Sequence, residues 1–511
     1  MTQGEIEKIG YPVAKIFTDL EIRIMKDIVR RIKINGFSTA TADWQITRLQ
    51  QLGNLEEDIK GWIKGALGAS EEEMERIFSD ETYKEYMGHE RAYELFGKEQ
   101  IPFEKNESLQ NLIEATKKQL ALEFQNMANS MGFAIRDPYG KIMYTPLLEY
   151  YRKTLDNAVI DIKSGAFSYQ QVLERTIKEM TASGIRWINY DSGWHNRVDV
   201  AVRRAVLTGF RQVQGKMNEQ VAEELNTDSY EVTYHVGARP SHQSWQGKVY
   251  TKQELEEVCG LGTVTGLHGA NCYHDYRPFI PGVSVRTYTD EQLARMAEEE
   301  NTPKDYYGKQ YTTYEALQQQ RKMETAMRAT RQQIQLLKEG EADPANITLK
   351  KAKYYGQMQN YQDFSVKMKL PMQKTRIYQD GLKGNFSEKR AYEKFVVKKQ
   401  ERAIIKELRE AGLRGEIHLL PTKIDLASLG FDEKHINKER SHNVSIDEAK
   451  TFIEKALFSE TVWRGQFERY YSEYGVAYVK KDNNLIRTAY KKEEFSENVK
   501  KAIGVMKNYG R

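Results

Sequence analysis

Apolar residues recur every three or four positions through much of the first 190 residues. Residues 13–34 show this most clearly, because Ile16, Leu20, Ile24 and Ile28 fall on one side of a helix. Residues 109–131 and 147–162 repeat the spacing. The pattern predicts a helical region over residues 1–186 in which each helix buries one face.

The residue composition changes over residues 187–285, which contain five of the nine histidines and both cysteines. Glycines cluster in GLGTVTGLHGANCYH, and the alternation in EVTYHV predicts a strand over residues 231–236. This composition predicts a compact middle domain of loops and short strands. Two cysteines are too few for a framework of disulfides.

Two further segments complete a multidomain chain that is mainly α with an α+β part. Over residues 286–387, sparse apolar positions predict charged helices, and the long helix within 288–342 is expected to be exposed or to pack on a partner. A second helix is expected over 347–368, with a joint near 381–384.

The last segment, residues 388–511, alternates helix and strand signals. A basic helix over 389–411 and a strand in GEIHLLP are followed by a helix over 445–458. Strand-like runs then appear in RGQFERYY, GVAYVKK and LIRTAY, and Asp482-Asn483 suits a hairpin turn between the last two. With a final helix over 492–509, the order predicts an α+β domain with an antiparallel sheet.

Charge limits the function classes. The 77 basic and 73 acidic residues give a net charge of only +4, which excludes a protein that coats nucleic acid along its whole length. Residues 388–511 hold 26 Lys and Arg against 20 Asp and Glu, a local excess of +6 that favours a nucleic-acid surface there. No run of about 18 apolar residues predicts a spanning helix, and the first residues lack the apolar core of a signal peptide.

Six candidate side chains stand in the motifs HVGARPSHQSWQGK and GANCYHDYRPFIPG: His235, Arg239, His242, Trp245, Cys272 and His274. Three roles are open. His242, Cys272 and His274 could bind zinc, although Cys-x-His is not a standard structural-zinc spacing. A Cys–His nucleophile is a second option. We favour the third, a buried polar network that satisfies loop backbone groups, and therefore predict neither metal nor cofactor.

Three long blocks, YDSGWHNRVDVAVRRAVLTGF, HVGARPSHQSWQGKVYT and GLHGANCYHDYRPFIPGVS, resemble the phage minor capsid protein 2 family, which is related to Mu F-type head-morphogenesis proteins. The block YQDFSVKMKLPMQKTRIYQDGL is similar to its later part, so that the resemblance covers residues 1–382. It implies a minor head protein in the virion of a tailed phage, with the portal protein and the capsid interior as partners and phage DNA as a further candidate. It implies no catalysis by the six candidate side chains.

The terminal segment holds a second candidate set, in HINKERSH and the last strand. Metal-free RNA cleavage needs a base, an acid and cations beside the phosphate, and imidazole and guanidinium groups suit these roles. The expected catalytic residues are His435, Arg440, His442, Thr488 and Tyr490, and the expected substrate-binding residues are Lys438 and Arg487.

Residues 412–511 resemble the phage-associated nucleases of the barnase–EndoU–colicin–RelE superfamily. The resemblance implies that His435 and His442 exchange protons, that Arg440 and Arg487 bind phosphate, and that host RNA is a candidate partner. Two alternatives remain open: a purely structural protein whose terminal domain is catalytically silent, and a metal-dependent hydrolase centred on the middle domain.

Overall fold

The computed structural model describes residues 3–37, 41–136, 139–189 and 193–510. The chain forms two compact units, Met1–Glu388 and Lys389–Arg511. The finer boundaries at 186/187 and 285/286 stay predictions. Residues 190–192, in the first of the long sequence blocks, lie outside the described residues.

Helices dominate the first unit, and a π-helical turn over Ile77–Glu81 joins two of them. In chain order they are α1 (Gln3–Ile9), α2 (Tyr11–Phe37), α3 (Thr41–Arg76), α4 (Thr82–Met87), α5 (Glu90–Leu95), α6 (Glu107–Asn129), α7 (Leu147–Lys163), α8 (Tyr169–Ser183), α9 (Val198–Glu224), α10 (Pro240–Gln243), α11 (Lys252–Glu257), α12 (Asp290–Asn301), α13 (Thr313–Glu339), α14 (Pro344–Lys367) and α15 (Lys374–Tyr378).

Small antiparallel sheets lie between these helices. The strands are β1 (Met131–Arg136), β2 (Ile142–Pro146), β3 (Ile185–Ile188), β4 (His195–Arg197), β5 (Ser229–Val232), β6 (Val249–Thr251), β7 (Tyr276–Phe279), β8 (Lys304–Tyr306) and β9 (Lys309–Tyr311). They form a four-stranded sheet in the order β2-β1-β3-β4, a three-stranded sheet in the order β6-β5-β7, and the hairpin β8–β9.

The predicted helices over 13–34, 109–131, 147–162 and 347–368 are confirmed to within a few residues as α2, α6, α7 and α14. The apolar side of α2 lies in the main core with residues of α6, α7, α8 and α9. The expectation of helices alone up to residue 186 is wrong at β1, β2 and β3. These strands are too short to show a regular spacing of apolar residues, which is the pattern that predicted the helices.

The predicted strand over 231–236 is displaced, because β5 covers Ser229–Val232 and the chain leaves the sheet at the next residue. Two glycine-containing turns follow in this region. For the helix expected within 288–342, the expectation of exposure is wrong, and packing on a partner stays a prediction. This segment forms α12, a hairpin and α13, and α13 buries both apolar and polar side chains.

Several polar side chains on the buried side of α13 are hydrogen-bonded, which explains why sparse apolar residues did not make this helix exposed. Arg331 donates to both carboxylate oxygens of Asp380, at 2.7 and 2.9 Å. Gln332 Nε2 donates to Glu21 Oε1 at 2.9 Å, and Gln333 Nε2 donates to Thr181 Oγ1 at 2.9 Å. Hydropathy alone cannot separate such a helix from a solvated one.

The second unit contains the helices α16 (Lys389–Glu410), α17 (Ile446–Glu454) and α18 (Glu497–Asn508) and the strands β10 (Glu416–His418), β11 (Gly430–Phe431), β12 (Phe458–Val462), β13 (Phe467–Tyr471), β14 (Gly475–Lys480) and β15 (Leu485–Lys491). Its sheet has the order β10-β12-β13-β14-β15-β11, antiparallel except for the β11–β15 pair. The predicted antiparallel meander is confirmed. The helix expected over 445–458 ends at Glu454, however, and an unpredicted strand, β12, begins at Phe458.

The sheet of the second unit is covered on both faces. Alternation along β13 and β14 sends Tyr471 and Val476 to one face, where they pack with residues of α16 and α18. Tyr470 and Ala477 point to the other face, which packs on α17. The segment HINKERSH contains a π-helical turn over Lys434–Glu439.

The Arg331–Asp380 pair yields a stability prediction. Both side chains are buried, at 4% and 1% exposure, so that Asp380→Ala leaves a buried guanidinium without its charge partner. We expect a loss of about 3–5 kcal/mol in the free energy of unfolding, measured by urea denaturation of the full chain. Lys60→Ala breaks an exposed ion pair with Glu56 and is the matched control, for which no change is expected. Equal effects from the two variants would contradict this assignment.

Candidate functional site

Two segments with little regular structure bring the middle candidates together. His242 lies on the single turn α10, and Cys272 and His274 follow a tight loop. In that loop a Cβ on Gly266 would lie 2.0 Å from the carbonyl oxygen of Gly260, and a Cβ on Gly269 would lie 2.5 Å from that of Val264. Only glycine permits such close approach of the backbone, which fixes where Cys272 stands.

Three ligand-type atoms converge here. The two Nδ1 atoms of His242 and His274 lie 3.4 Å apart, and Cys272 Sγ lies 3.9 Å from the first and 3.6 Å from the second. All three residues are buried, at 2–3% exposure. The arrangement can hold a metal ion or form a closed hydrogen-bonded cluster.

Hydrogen bonds at the far side of each ring set the tautomers. His242 Nε2 lies 2.8 Å from the carbonyl oxygen of Thr265, and His274 Nε2 lies 2.9 Å from Gln246 Oε1. Gln246 Oε1 also accepts from the backbone N–H of His235. Because both partners are acceptors, each Nε2 carries the proton and each Nδ1 presents a lone pair to Cys272.

Burial governs the protonation of this group. Desolvation lowers the pKa of His242, and it lowers that of His274 well below its usual range, with His235 adding to the effect. Burial also raises the pKa of the Cys272 thiol, so that without an ion the group is a neutral cluster. A nucleophilic cysteine needs a lowered pKa, and these surroundings have the opposite effect.

The other predicted members surround the cluster. Arg239 donates to the carbonyl oxygen of Ala270 at 2.6 Å, the Trp245 ring lies 4.5 Å from the His242 ring, and the His235 ring lies 4.7 Å from the His274 ring. A cavity of about 400 Å³ is lined by His235, Arg239, His242, Cys272 and His274, among others. The structure therefore brings all six predicted residues together.

Sequence reasoning missed the charged centre beside this cluster. Asp275 is 1% exposed and accepts from Gln214 at 3.1 Å and from Asn218 at 3.3 Å, with Arg211 at 3.7 Å. Burial opposes ionisation of Asp275, but His268 and Arg211 outweigh it and hold the pKa of this carboxyl well below its usual range. The sequence did contain one indication of this charged centre. Arg211, Gln214 and Asn218 are spaced three and four residues apart, which places them together on the core side of α9.

The terminal candidates line a second cavity, of about 430 Å³. Six of the seven predicted residues belong to it: His435, Arg440, His442, Arg487, Thr488 and Tyr490. Lys438 is exposed and is not among the lining residues. The sequence did not single out the remaining lining residues, which are Trp463, Phe467, Arg469 and Tyr478.

Each imidazole at this cavity is held by a carboxylate. His435 Nδ1 lies 2.9 Å from Glu439 Oε2, and His442 Nδ1 lies 2.7 Å from Glu494 Oε2. The hydrogen bond from His435 lowers the pKa of Glu439. Within the described part of the chain, Nε2 of neither ring has a hydrogen-bond partner, so that both atoms are available to a ligand.

A β-bulge positions the strand residues. Tyr478 pairs with Thr488 and Val479 pairs with Ile486, so that Arg487 is an extra residue in β15. A bulge turns consecutive side chains toward one side, and Arg487 and Thr488 accordingly line the same cavity. Arg487 also forms an ion pair with Asp432.

Strand register explains how Arg469 and Tyr478, which the sequence analysis did not identify, reach this cavity. Arg469 pairs with Tyr478, which pairs with Thr488, so that the three side chains share one face of the sheet. The Arg469 guanidinium lies 4.7 Å from the Tyr478 ring and 4.9 Å from the Trp463 ring. Side chains along a strand alternate between the two faces of a sheet. Counting back from Thr488 across the predicted hairpins would therefore have identified Arg469 and Tyr478 as neighbours on the same face.

Among the described residues, none of the helices combines the length and apolar character needed to cross a bilayer. No solved structure matches the chain. A protein of Lactococcus phage LL-H with the printed name "Structural protein" is 20% identical over 288 residues, which cover 52% of this chain and 74% of that protein. The family profile described as phage minor capsid protein 2 matches residues 1–364. The chain therefore belongs to the phage minor capsid protein 2 family.

Proposed function

We propose that this chain is a minor head protein, bound near the portal on the inner side of the capsid, that carries a metal-independent ribonuclease in residues 389–511. Family membership supports a place in the virion and partners in capsid assembly. Portal contact is a finer proposal that rests on the family resemblance alone. The ribonuclease proposal rests on the terminal cavity, beyond the matched residues.

One observation carries the ribonuclease proposal: two carboxylate-held imidazoles and several guanidiniums line one cavity that is open to solvent. His435 and His442 side chains retain 15% and 16% exposure, enough for contact with a ligand. A purely structural histidine needs no second imidazole and no unneutralised arginine beside it. Arg440 is exposed and makes no ion pair among the described residues.

The proposed reaction is transfer of the phosphoryl group within RNA. The 2′-oxygen bonds to phosphorus as its proton passes to one imidazole, and the bond to the 5′-oxygen breaks as the other imidazole supplies a proton to that oxygen. The products are a 2′,3′-cyclic phosphate and a 5′-hydroxyl. Glu439 and Glu494 accept from Nδ1 of the two rings, which keeps each ring oriented with Nε2 toward the substrate.

The cationic and aromatic residues suit the remainder of an RNA substrate. Arg440 and Arg487 can neutralise the phosphate in the transition state, and Thr488 can donate to one of its oxygens. Trp463 is 53% exposed and offers a face on which a base can stack. Tyr490 lies under His442 at a ring distance of 5.7 Å and supports that imidazole.

Two other functions make different predictions. In a silent terminal unit, the His–Glu pairs would only link loops, and RNA would be neither bound nor cut. A metal-dependent hydrolase centred on His242 and Cys272 would lose activity with chelator and keep it after changes at His435. Activity that resists chelator and depends on His435 and His442 favours the proposal over both.

The full chain should cleave single-stranded RNA in the presence of EDTA and leave 2′,3′-cyclic phosphate ends. His435→Ala and His442→Ala should each lower the cleavage rate by about 10²–10⁴-fold, because each removes a proton-transfer group. His418→Ala changes a histidine of the same unit outside the cavity lining and is the matched control. Unchanged cleavage in the double variant His435→Ala/His442→Ala would falsify the site.

The carboxylate beside His442 gives a sharper test. Glu494→Gln keeps the shape of the side chain but removes the carboxylate that orients the imidazole of His442, so we expect a rate reduction of roughly 10–100-fold. Thermal unfolding should not change, since Glu494 is 42% exposed at its side chain. Glu493→Gln changes the neighbouring carboxylate, which has no bond to His442 among the described residues, and should cleave at the wild-type rate.

Mass spectrometry of purified phage particles should detect the chain, and crosslinking in intact particles should join it to the portal protein. Recovery of crosslinks to the major capsid protein alone would remove the portal proposal and leave a minor capsid protein. Absence from mature particles would contradict a structural place in the virion.

A further inference from the structure

We propose that His242, Cys272 and His274 bind a divalent ion of the zinc class, with a fourth coordination position that faces the adjoining cavity. Thiolate together with imidazole is a donor set that suits Zn²⁺ and does not suit Mg²⁺ or Ca²⁺. The inference is independent of the ribonuclease proposal, which concerns the other unit.

The separations of the three atoms match the edges of a tetrahedral site. Bond lengths of about 2.0–2.1 Å to nitrogen and about 2.3 Å to sulfur place two nitrogens about 3.3 Å apart, and nitrogen and sulfur about 3.6 Å apart. The observed distances are 3.4 Å between nitrogens and 3.6 and 3.9 Å from sulfur to nitrogen. The ligands need to move by only a few tenths of an ångström.

A closed hydrogen-bonded cluster leaves one acceptor without a donor. The outer bonds to Thr265 and Gln246 place the proton of each ring on Nε2, so that two lone pairs face each other. The Cys272 S–H can donate to only one of them. An ion shared by all three groups satisfies both nitrogens, which a single thiol proton cannot.

The outer hydrogen bonds have the form found around metal-bound histidines. In such sites the distal ring N–H donates to a carbonyl or another acceptor, which fixes both the ring orientation and the tautomer. Thr265 supplies a backbone carbonyl to His242, and Gln246 supplies its side-chain oxygen to His274. The residues around the ligands therefore hold them in a metal-binding orientation.

The cavity lined by the three ligands gives access to a fourth position. Arg239 and Arg321 also line it, so that water or a small anion is the expected fourth ligand. The ion would tie α10 to the loop that ends at His274. Since neither segment has extensive regular structure, the binding free energy would contribute to folding of this region.

Metal analysis of the full chain, purified without chelator, tests the proposal. We expect about one equivalent of zinc in the wild type and less than about a tenth in Cys272→Ser and His274→Gln. Cys259→Ser is the matched control, because Cys259 is also buried but does not belong to the ligand group, and it should keep the metal. Wild-type protein that stays metal-free after incubation with zinc would overturn the proposal.

Two measurements keep the test decisive if the ligand variants fail to fold. Wild-type protein reconstituted with Co²⁺ should show a thiolate-to-metal charge-transfer band that persists in Cys259→Ser. Removing the ion from wild type should lower the melting temperature, and adding zinc back should restore it. Bound Co²⁺ without the thiolate band, or a melting temperature unaffected by removal of the ion, would exclude this site.

Discussion

The first unit depends on the requirement that buried polar groups have partners. Its long helices carry charged and amide side chains on faces that point inward, and an unpartnered group there costs about 1–3 kcal/mol or more when charged. Arg331 of α13 and Asp275 beside α9 meet this requirement with several bonds each. On α13 these bonds act together with the buried apolar residues Met327, Ile334 and Leu337 in keeping one helix face inside.

The same requirement explains which parts of the fold could be predicted from the sequence and which could not. Apolar spacing placed α2, α6 and α7, since burial of one face produces the pattern directly. The same reasoning predicted that α13 is exposed or packs on a partner, because hydropathy records only the polarity of a side chain. It does not record whether the fold supplies a hydrogen-bonding partner for that side chain. Short strands such as β1 carry too few residues for a period to be visible, and their pairing partners are distant in the chain.

For the candidate sites, residue type was more informative than position. The residues around Cys272 and those around His435 were grouped from motifs, and five of the six in the first group and six of the seven in the second line one cavity each. Residues that act through contacts between distant segments, among them Asp275 and Arg469, could not be found in this way. Their importance arises from helix packing and strand register, which a motif does not contain.

The two groups of histidines differ in their surroundings, and the difference suggests different chemistry. His242 and His274 are buried and have no carboxylate ion pair among the described residues, a setting that favours neutral rings and metal coordination. His435 and His442 are partly exposed and hydrogen-bonded to carboxylates through Nδ1, a setting that leaves Nε2 of each ring accessible to a ligand. Under the two proposals, histidine would serve two purposes in one chain, and the groups around each ring would decide which.

The bulge in β15 bears on how the terminal cavity could have arisen. Because Arg487 has no opposite residue in β14, its removal would leave Ile486 and Thr488 in regular pairing with the same neighbours. A single inserted codon could therefore add a guanidinium to an uninterrupted strand without inverting the faces of the sheet. Deletion of Arg487 would likewise remove the guanidinium and leave the pairing of the neighbouring residues unchanged.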